Sequence, residues 1–183
     1  DSSTTPTAGA TLLTQDFDFA QLDPFINEGN GDGTDFSTTD QFGFDLDTTL
    51  DPTKGIDEWR GWSFADKNSW ISADNQSRDQ FTLGEGTVMV ADSDEYDDGN
   101  APERPFVGYS YSPVIDLTGV AANSVKIEFD SSYRAEGDQF GLVEVSFDGG
   151  ATWTQKLRLD STNASGSGSS AAGASINERL VSG

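Results

Sequence analysis

With 32 Asp and Glu against 10 Lys and Arg, and neither His nor Cys, any chemistry in this chain of 183 residues must be built from carboxylates, hydroxyls, amides, Lys, Arg and Tyr. The missing residue types exclude thiol nucleophiles, Ser-His-Asp triads, imidazole or thiolate zinc sites and haem ligation. Two uses of carboxylates remain. Two of them about 5–9 Å apart can hydrolyse a glycosidic bond, and several converging on one point can hold a hard cation, of which Ca2+ is the expected one outside cells.

Two acidic stretches have suitable spacing. Residues 92–98 place Asp92, Asp94, Glu95, Asp97 and Asp98 directly after the apolar run of residues 87–91. Five like charges on a short loop repel one another, and a bound divalent cation is the simplest way to hold them together; the alternative is a solvated acidic loop. The second stretch, Glu28-Gly29-Asn30-Gly31-Asp32-Gly33-Thr34-Asp35, partly follows the opening of an EF-hand loop, with Gly33 at the turn. Thr39 stands where that motif needs Glu, and the flanks are not helical, so an EF-hand is rejected. A different calcium loop using Asn30, Asp32 and Asp35 and a plain Asn/Gly turn both stay open.

Trp59, Trp62 and Trp70 lie close together in sequence, with Arg78 following. Exposed, such rings stack on the apolar face of a sugar while polar neighbours bind its hydroxyls; buried, they are core. The segment Ser146-Phe147-Asp148-Gly149-Gly150-Ala151-Thr152-Trp153 resembles an Asp-box, the hairpin element of sialidases and other β proteins. Its expected role is structural, a turn formed by Ser146, Asp148, Gly150, Thr152 and Trp153: Asp148 accepts backbone N–H groups, the glycines take positive φ, and Trp153 packs over the hairpin.

These side chains need a scaffold, and the apolar pattern predicts strands. Val125, Ile127 and Phe129 alternate with Lys126, Glu128 and Asp130; Val143, Val145 and Phe147 alternate with Glu144 and Ser146. Further strands are expected at residues 11–19, 41–46, 59–64, 80–83, 87–91, 106–111, 153–159 and 176–181, with no convincing amphipathic helix. Short strands between Gly, Asp and Asn turns predict an all-β fold, an antiparallel two-sheet sandwich or barrel. The 20 aromatic residues supply a core. The expected organisation is a polar arm at 1–10, a β-sandwich domain at 11–160, a Ser/Gly/Ala-rich loop or linker at 161–175 and a final strand at 176–183. At a net charge of −22 the chain repels nucleic acid and anionic membranes, and no apolar run reaches the roughly 20 residues that cross a bilayer. Its polar start reads as a mature terminus if a signal has been removed.

The order of motifs resembles jelly-roll domains of the MAM-like and cleaved-adhesin type in bacterial secreted and surface proteins. The resemblance is carried by Asp16-Phe17-Asp18-Phe19, Gly61–Phe64, Val90–Asp98, Tyr111–Leu117, Val125–Arg134 and Val143–Trp153. It implies a two-sheet sandwich, Ca2+ bound near the first strand with Asp18 as a ligand, and adhesion to a glycan or surface protein. The family's closing strand is missing after residue 181. An open edge left by that loss implies a second reading, a homo-oligomeric or filamentous subunit completed by a strand-donating neighbour. A third is an accessory fragment of a secreted hydrolase such as a metallophosphoesterase.

Overall fold

The computed structural model describes residues 9–134 and 138–160, and the backbone of Ser175–Ser182. Most of the expected arm and of the 161–175 loop therefore lies outside the described residues. The chain divides into two compact units, one comprising Gln15–Asp79 and Glu85–Pro113 and the other the remaining described residues.

The first unit holds five strands and two short helices: β1 (Phe36–Ser37), β2 (Asp45–Thr48), β3 (Trp62–Asp66), α1 (Lys67–Ala73), β4 (Thr87–Ala91), α2 (Ser93–Asp97) and β5 (Gly108–Tyr111). Strands β1, β3 and β4 form an antiparallel sheet with β3 in the centre, registered by Ser37↔Phe64 and Phe64↔Met89. Ser63, Phe64 and Ala65 are all buried, as a central strand covered on both faces requires. Strand β2 pairs antiparallel with β5. Aromatic residues fill the spaces around these strands. Phe64 meets Phe17 and Phe42, Trp59 meets Phe25, which stacks on Phe36, and Tyr96 meets Phe106.

In the second unit β6 (Ile127–Tyr133) pairs antiparallel with β9 (Ser175–Ser182), and β7 (Phe140–Val145) with β8 (Thr154–Asp160). Both pairs carry a register shift, between Ser131 and Tyr133 in one and between Val143 and Glu144 in the other. The fold is thus strand-dominated, in several small antiparallel sheets.

Three local expectations are corrected. Residues 11–19 form no strand: Phe17 takes a positive φ of 64°, Asp16 Oδ1 accepts the Asp18 N–H, and the Phe17 carbonyl accepts the Ala20 N–H, which makes a turn. Residues 80–83 are likewise no strand, since a 3-10 turn over Arg78–Gln80 precedes them. Helices do occur. Each starts on an Asp whose carboxylate accepts an N–H of the first turn, Asp66 from Ser69 and Asp92 from Glu95.

Candidate functional site

Two buried carboxylates shape the loop around residues 23–35. Asp35, fully buried, accepts from the N–H groups of Phe25, Asp32 and Gly33 at 3.1–3.3 Å and from Ser69 Oγ at 2.8 Å. Burial opposes its ionisation, but the Ser69 hydroxyl and the three N–H groups outweigh it and hold the carboxyl below its usual range. Gly31 lies against this carboxylate so closely that a Cβ would overlap it. Glu58, also fully buried, accepts from the N–H groups of Ile26, Asn27 and Glu28 and from Asn27 Nδ2. Asp32 is exposed and bonds Thr34, while Asn30 is exposed on the same loop. Through these four bonds Asp35 fastens the turn from inside.

Residues 92–98 are not a loop but the capped helix α2, and a guanidinium draws its acids together. Arg78 is buried, with Nη2 2.8 Å from Asp92 Oδ2 and 2.6 Å from Glu95 Oε1, and it also donates to the Trp70 carbonyl. Trp70 Nε1 donates to Asp92, and the Arg78 guanidinium lies 5.2 Å from the Trp70 ring centroid. Burial pushes the Glu95 carboxyl up to about 7 despite the opposing pull of Arg78. Asp97 pairs with Arg104, and Asp98 ends the helix. Tyr96, buried on the same helix, packs against Gly55, where a Cβ would collide with its ring, and its hydroxyl accepts the Glu103 N–H.

The remaining acid of the stretch, Asp94, lies beside Asp74 and the buried Glu95. Asp94, Glu95 and Asp74 each present one oxygen within 4.8 Å of the others. Gln76 Nε2 donates to both Asp74 and Asp94. Asp74, which ends α1, has no marking in the sequence because its partners come from a later helix. Asp18 is exposed and sits against Gly86, where a Cβ would lie 2.7 Å from its Oδ1.

The tryptophans separate. Trp59 is wholly buried, which removes it from any sugar-stacking surface and makes it core; its Nε1 donates to Glu28 at 3.4 Å. Burial pushes Glu28 above its ordinary range, and the charges of Glu58 and Asp98 add to that. Trp70, half-buried, and the buried Arg78 are bound into the α2 network. Trp62, half-buried, lines an open cleft of about 200 Å3 with Asp47, Thr48, Asp57 and Arg60. Arg60 is fixed there: Nε and Nη2 donate to the Lys54 carbonyl at 3.2 and 3.0 Å, and Nη2 also pairs with Asp57. Thr48 is held by a 2.5 Å bond to the Val107 carbonyl. Gly61, at φ 87°, brings this wall close, since a Cβ there would sit 3.0 Å from Thr48.

In the second unit the residues of the Asp-box bond one another. Asp148 accepts from Thr152 N at 2.8 Å, Thr152 Oγ1 at 2.6 Å and Ser146 Oγ at 2.9 Å; Gly150 N donates to Ser146 Oγ, and Trp153 Nε1 to the Gly150 carbonyl. Gly149 and Gly150 both have positive φ. Trp153 stays 45% exposed, so it braces the turn rather than filling a core.

No protein-family model, no curated protein and no solved structure matches this chain. Its function is therefore argued from the geometry above.

Proposed function

We propose that the chain is a non-catalytic, calcium-stabilised binding module of the secreted or cell-surface kind, built as a two-sheet sandwich of the MAM-like and cleaved-adhesin type and recognising a glycan or surface protein. The observation that carries this reading is the cleft beside Trp62. It combines one aromatic ring with an Arg held by three hydrogen bonds and with acceptors of fixed position, which is the composition of a site that holds a polar ligand by shape and hydrogen bonds. Among the described residues no helix is long and apolar enough to cross a membrane.

Among the described residues the cation has one supporting place, the oxygens of Asp74, Asp94 and Glu95. Oxygen donors without nitrogen or sulfur suit Ca2+, and water or carbonyl oxygens would complete its six to eight ligands. A cation bound only by the folded state stabilises it by RT ln(1 + [L]/Kd), about 2.7 kcal/mol at one hundred times Kd. Thermal melts with Ca2+ and with a chelator test this, a raised midpoint with Ca2+ being expected and equal midpoints counting against the cation. A glycan and surface-protein binding screen under the same two conditions tests the module itself.

The alternative, a structural subunit completed by a neighbour's strand, draws on the second unit. Its sheets have two strands each among the described residues, and Phe140 and Leu142 of β7 are 54% and 39% exposed. Particle sizing across Ca2+ and salt concentrations separates the two readings.

A further inference from the structure

We propose that Asn75 is an acceptor for an N-linked glycan, attached to its side-chain amide by a transferase that recognises Ser77 two residues on; this rests on the secreted or cell-surface reading, since such transfer accompanies export. Asn75-Gln76-Ser77 fits Asn-x-Ser/Thr, the sequence in which asparagine is glycosylated, and Gln76 is not the proline that forbids it. Asn and Ser also favour turns for their own sake, so the match selects nothing by itself. A second such triplet, Asn163-Ala164-Ser165, lies outside the described residues.

The geometry of residues 75–78 singles out the first. Asp74 ends α1, and the exposed Asn75 opens the turn that follows. The Asn75 carbonyl accepts the Arg78 N–H at 2.5 Å, and its Oδ1 accepts the Ser77 N–H at 3.2 Å. The amide is therefore oriented through its oxygen alone. Among the described residues neither the Asn75 Nδ2 nor the Ser77 hydroxyl has a hydrogen-bond partner, so the two groups that the transfer uses are both left unbonded.

The rest of the turn is fastened. Gln76 and Ser77 take φ of 34° and 71°, an uncommon pair for residues with side chains. Gln76 Nε2 donates to Asp74 and Asp94, and the buried Arg78 holds Asp92 and Glu95. The middle of the triplet and the residue after it are thus tied to the acids around α2, while the acceptor amide faces no competing donor or acceptor at its nitrogen. In the transfer, Nδ2 attacks the anomeric carbon of a sugar carried on a polyprenyl phosphate or diphosphate. The Nδ2–C1 bond forms, the C1–O bond to phosphate breaks, the lipid-linked phosphate leaves with the electron pair, and one amide proton passes to a base of the transferase.

The test is peptide mass mapping of the full chain recovered from the cells that make it, with medium, cell surface and interior collected separately. Trypsin acting on the denatured chain cuts after Lys67, Arg78, Arg158 and Arg179, so Asn75 lies on peptide 68–78 and Asn163 on peptide 159–179. The expected result for exported protein is a 68–78 peptide heavier by one or more sugar residues, and the unmodified mass in Asn75→Gln and in Ser77→Ala, each first checked by thermal melting. The two variants act on separate side chains, so either suffices if the other does not fold. An added mass that survives Asn75→Gln puts the sugar on a serine and overturns the proposal. Exported wild type with 68–78 unmodified overturns it too and leaves the module standing. Protein found only in the interior overturns the secreted reading instead. The chain is then exported behind a cleavable signal from a eukaryotic host that glycosylates Asn-x-Ser, where a modified 68–78 peptide upholds Asn75 as an acceptor and an unmodified one overturns it.

Discussion

Replacing Glu58 by Ala removes an acceptor that serves four donors at once. The N–H groups of Ile26, Asn27 and Glu28 and the Asn27 amide all converge on a carboxylate that has no exposure of its own. A donor stranded in a buried place costs about 1–3 kcal/mol. Ile26 and Asn27 are exposed residues, so water reaches part of this loop and the low end of the range applies. Four donors at about 1 kcal/mol each give a loss of about 4 kcal/mol, a large share of the roughly 5–15 kcal/mol that holds a domain together. Glu58→Gln keeps a carbonyl oxygen for the backbone donors but turns an NH2 group towards Asn27, so its loss is smaller, about 1–2 kcal/mol. Urea unfolding measures both. With a slope of about 2 kcal/mol per molar, the Ala variant's midpoint falls by about 2 M. Amide exchange at residues 26–28 should quicken more than elsewhere. An Ala variant within about 1 kcal/mol of wild type, or one in which these amides stay protected, would refute the view that this carboxylate anchors the loop.

Two further outcomes concern pH. Glu95 is held at about 7 by burial against an ordinary 4.5, so the folded state binds its proton more tightly; that contribution is complete below about 4.5 and is lost as pH rises through 7. Glu95→Gln in chelator should therefore match wild type near pH 4.5 and exceed it by roughly 3 kcal/mol at pH 8, Asp92 still pairing with Arg78; urea unfolding at both pH values would contradict this if the difference did not change. Asp148 behaves oppositely: the Thr152 hydroxyl and N–H and the Ser146 hydroxyl pull it down to about 2 from 3.8, so its support of the turn is present above 3.8 and fades as pH falls through about 2. The Thr152 amide resonance should report that loss in wild type and not in Asp148→Asn, and a transition common to both would point to another group.

What could be read in the sequence is what is local. The Ser146–Trp153 turn closes on side chains no more than four residues apart, and the apolar run 87–91 could become little other than the buried β4. The roles of Glu58 and Asp35 could not be read, because their partners lie up to 34 residues away and nothing around Glu58 distinguishes it from the other acids. Residues 92–98 look like a loop in want of a cation for the same reason. The positive charge that gathers Asp92 and Glu95 comes from Arg78, across the whole of β4. Trp59 and Trp62 directly flank Arg60-Gly61; one is core and the other lines a cleft. The expected strand over 59–64 begins only at Trp62, because a 3-10 turn covers Asp57–Trp59 and Gly61 takes a positive φ, so the two rings belong to different elements.

The same network explains how so acidic a chain folds with so few bases. Ten Lys and Arg cannot neutralise 32 carboxylates, and the one deeply buried guanidinium among the described residues, that of Arg78, is shared between two of them. Backbone N–H groups do much of the remaining work: Asp35 and Glu58 take three each, Asp66 and Asp92 cap helices, and Asp51, Asp116 and Asp148 each hold the N–H of a nearby Thr. Such bonds orient a carboxylate and satisfy its lone pairs without removing its charge. Folding therefore leaves the excess of 22 negative charges in place rather than cancelling it. A surface of this kind draws cations towards it and turns anions away, so the ordering of its own turns and its pull on cations have a common origin in the use of amides, not bases, as the partners of its acids.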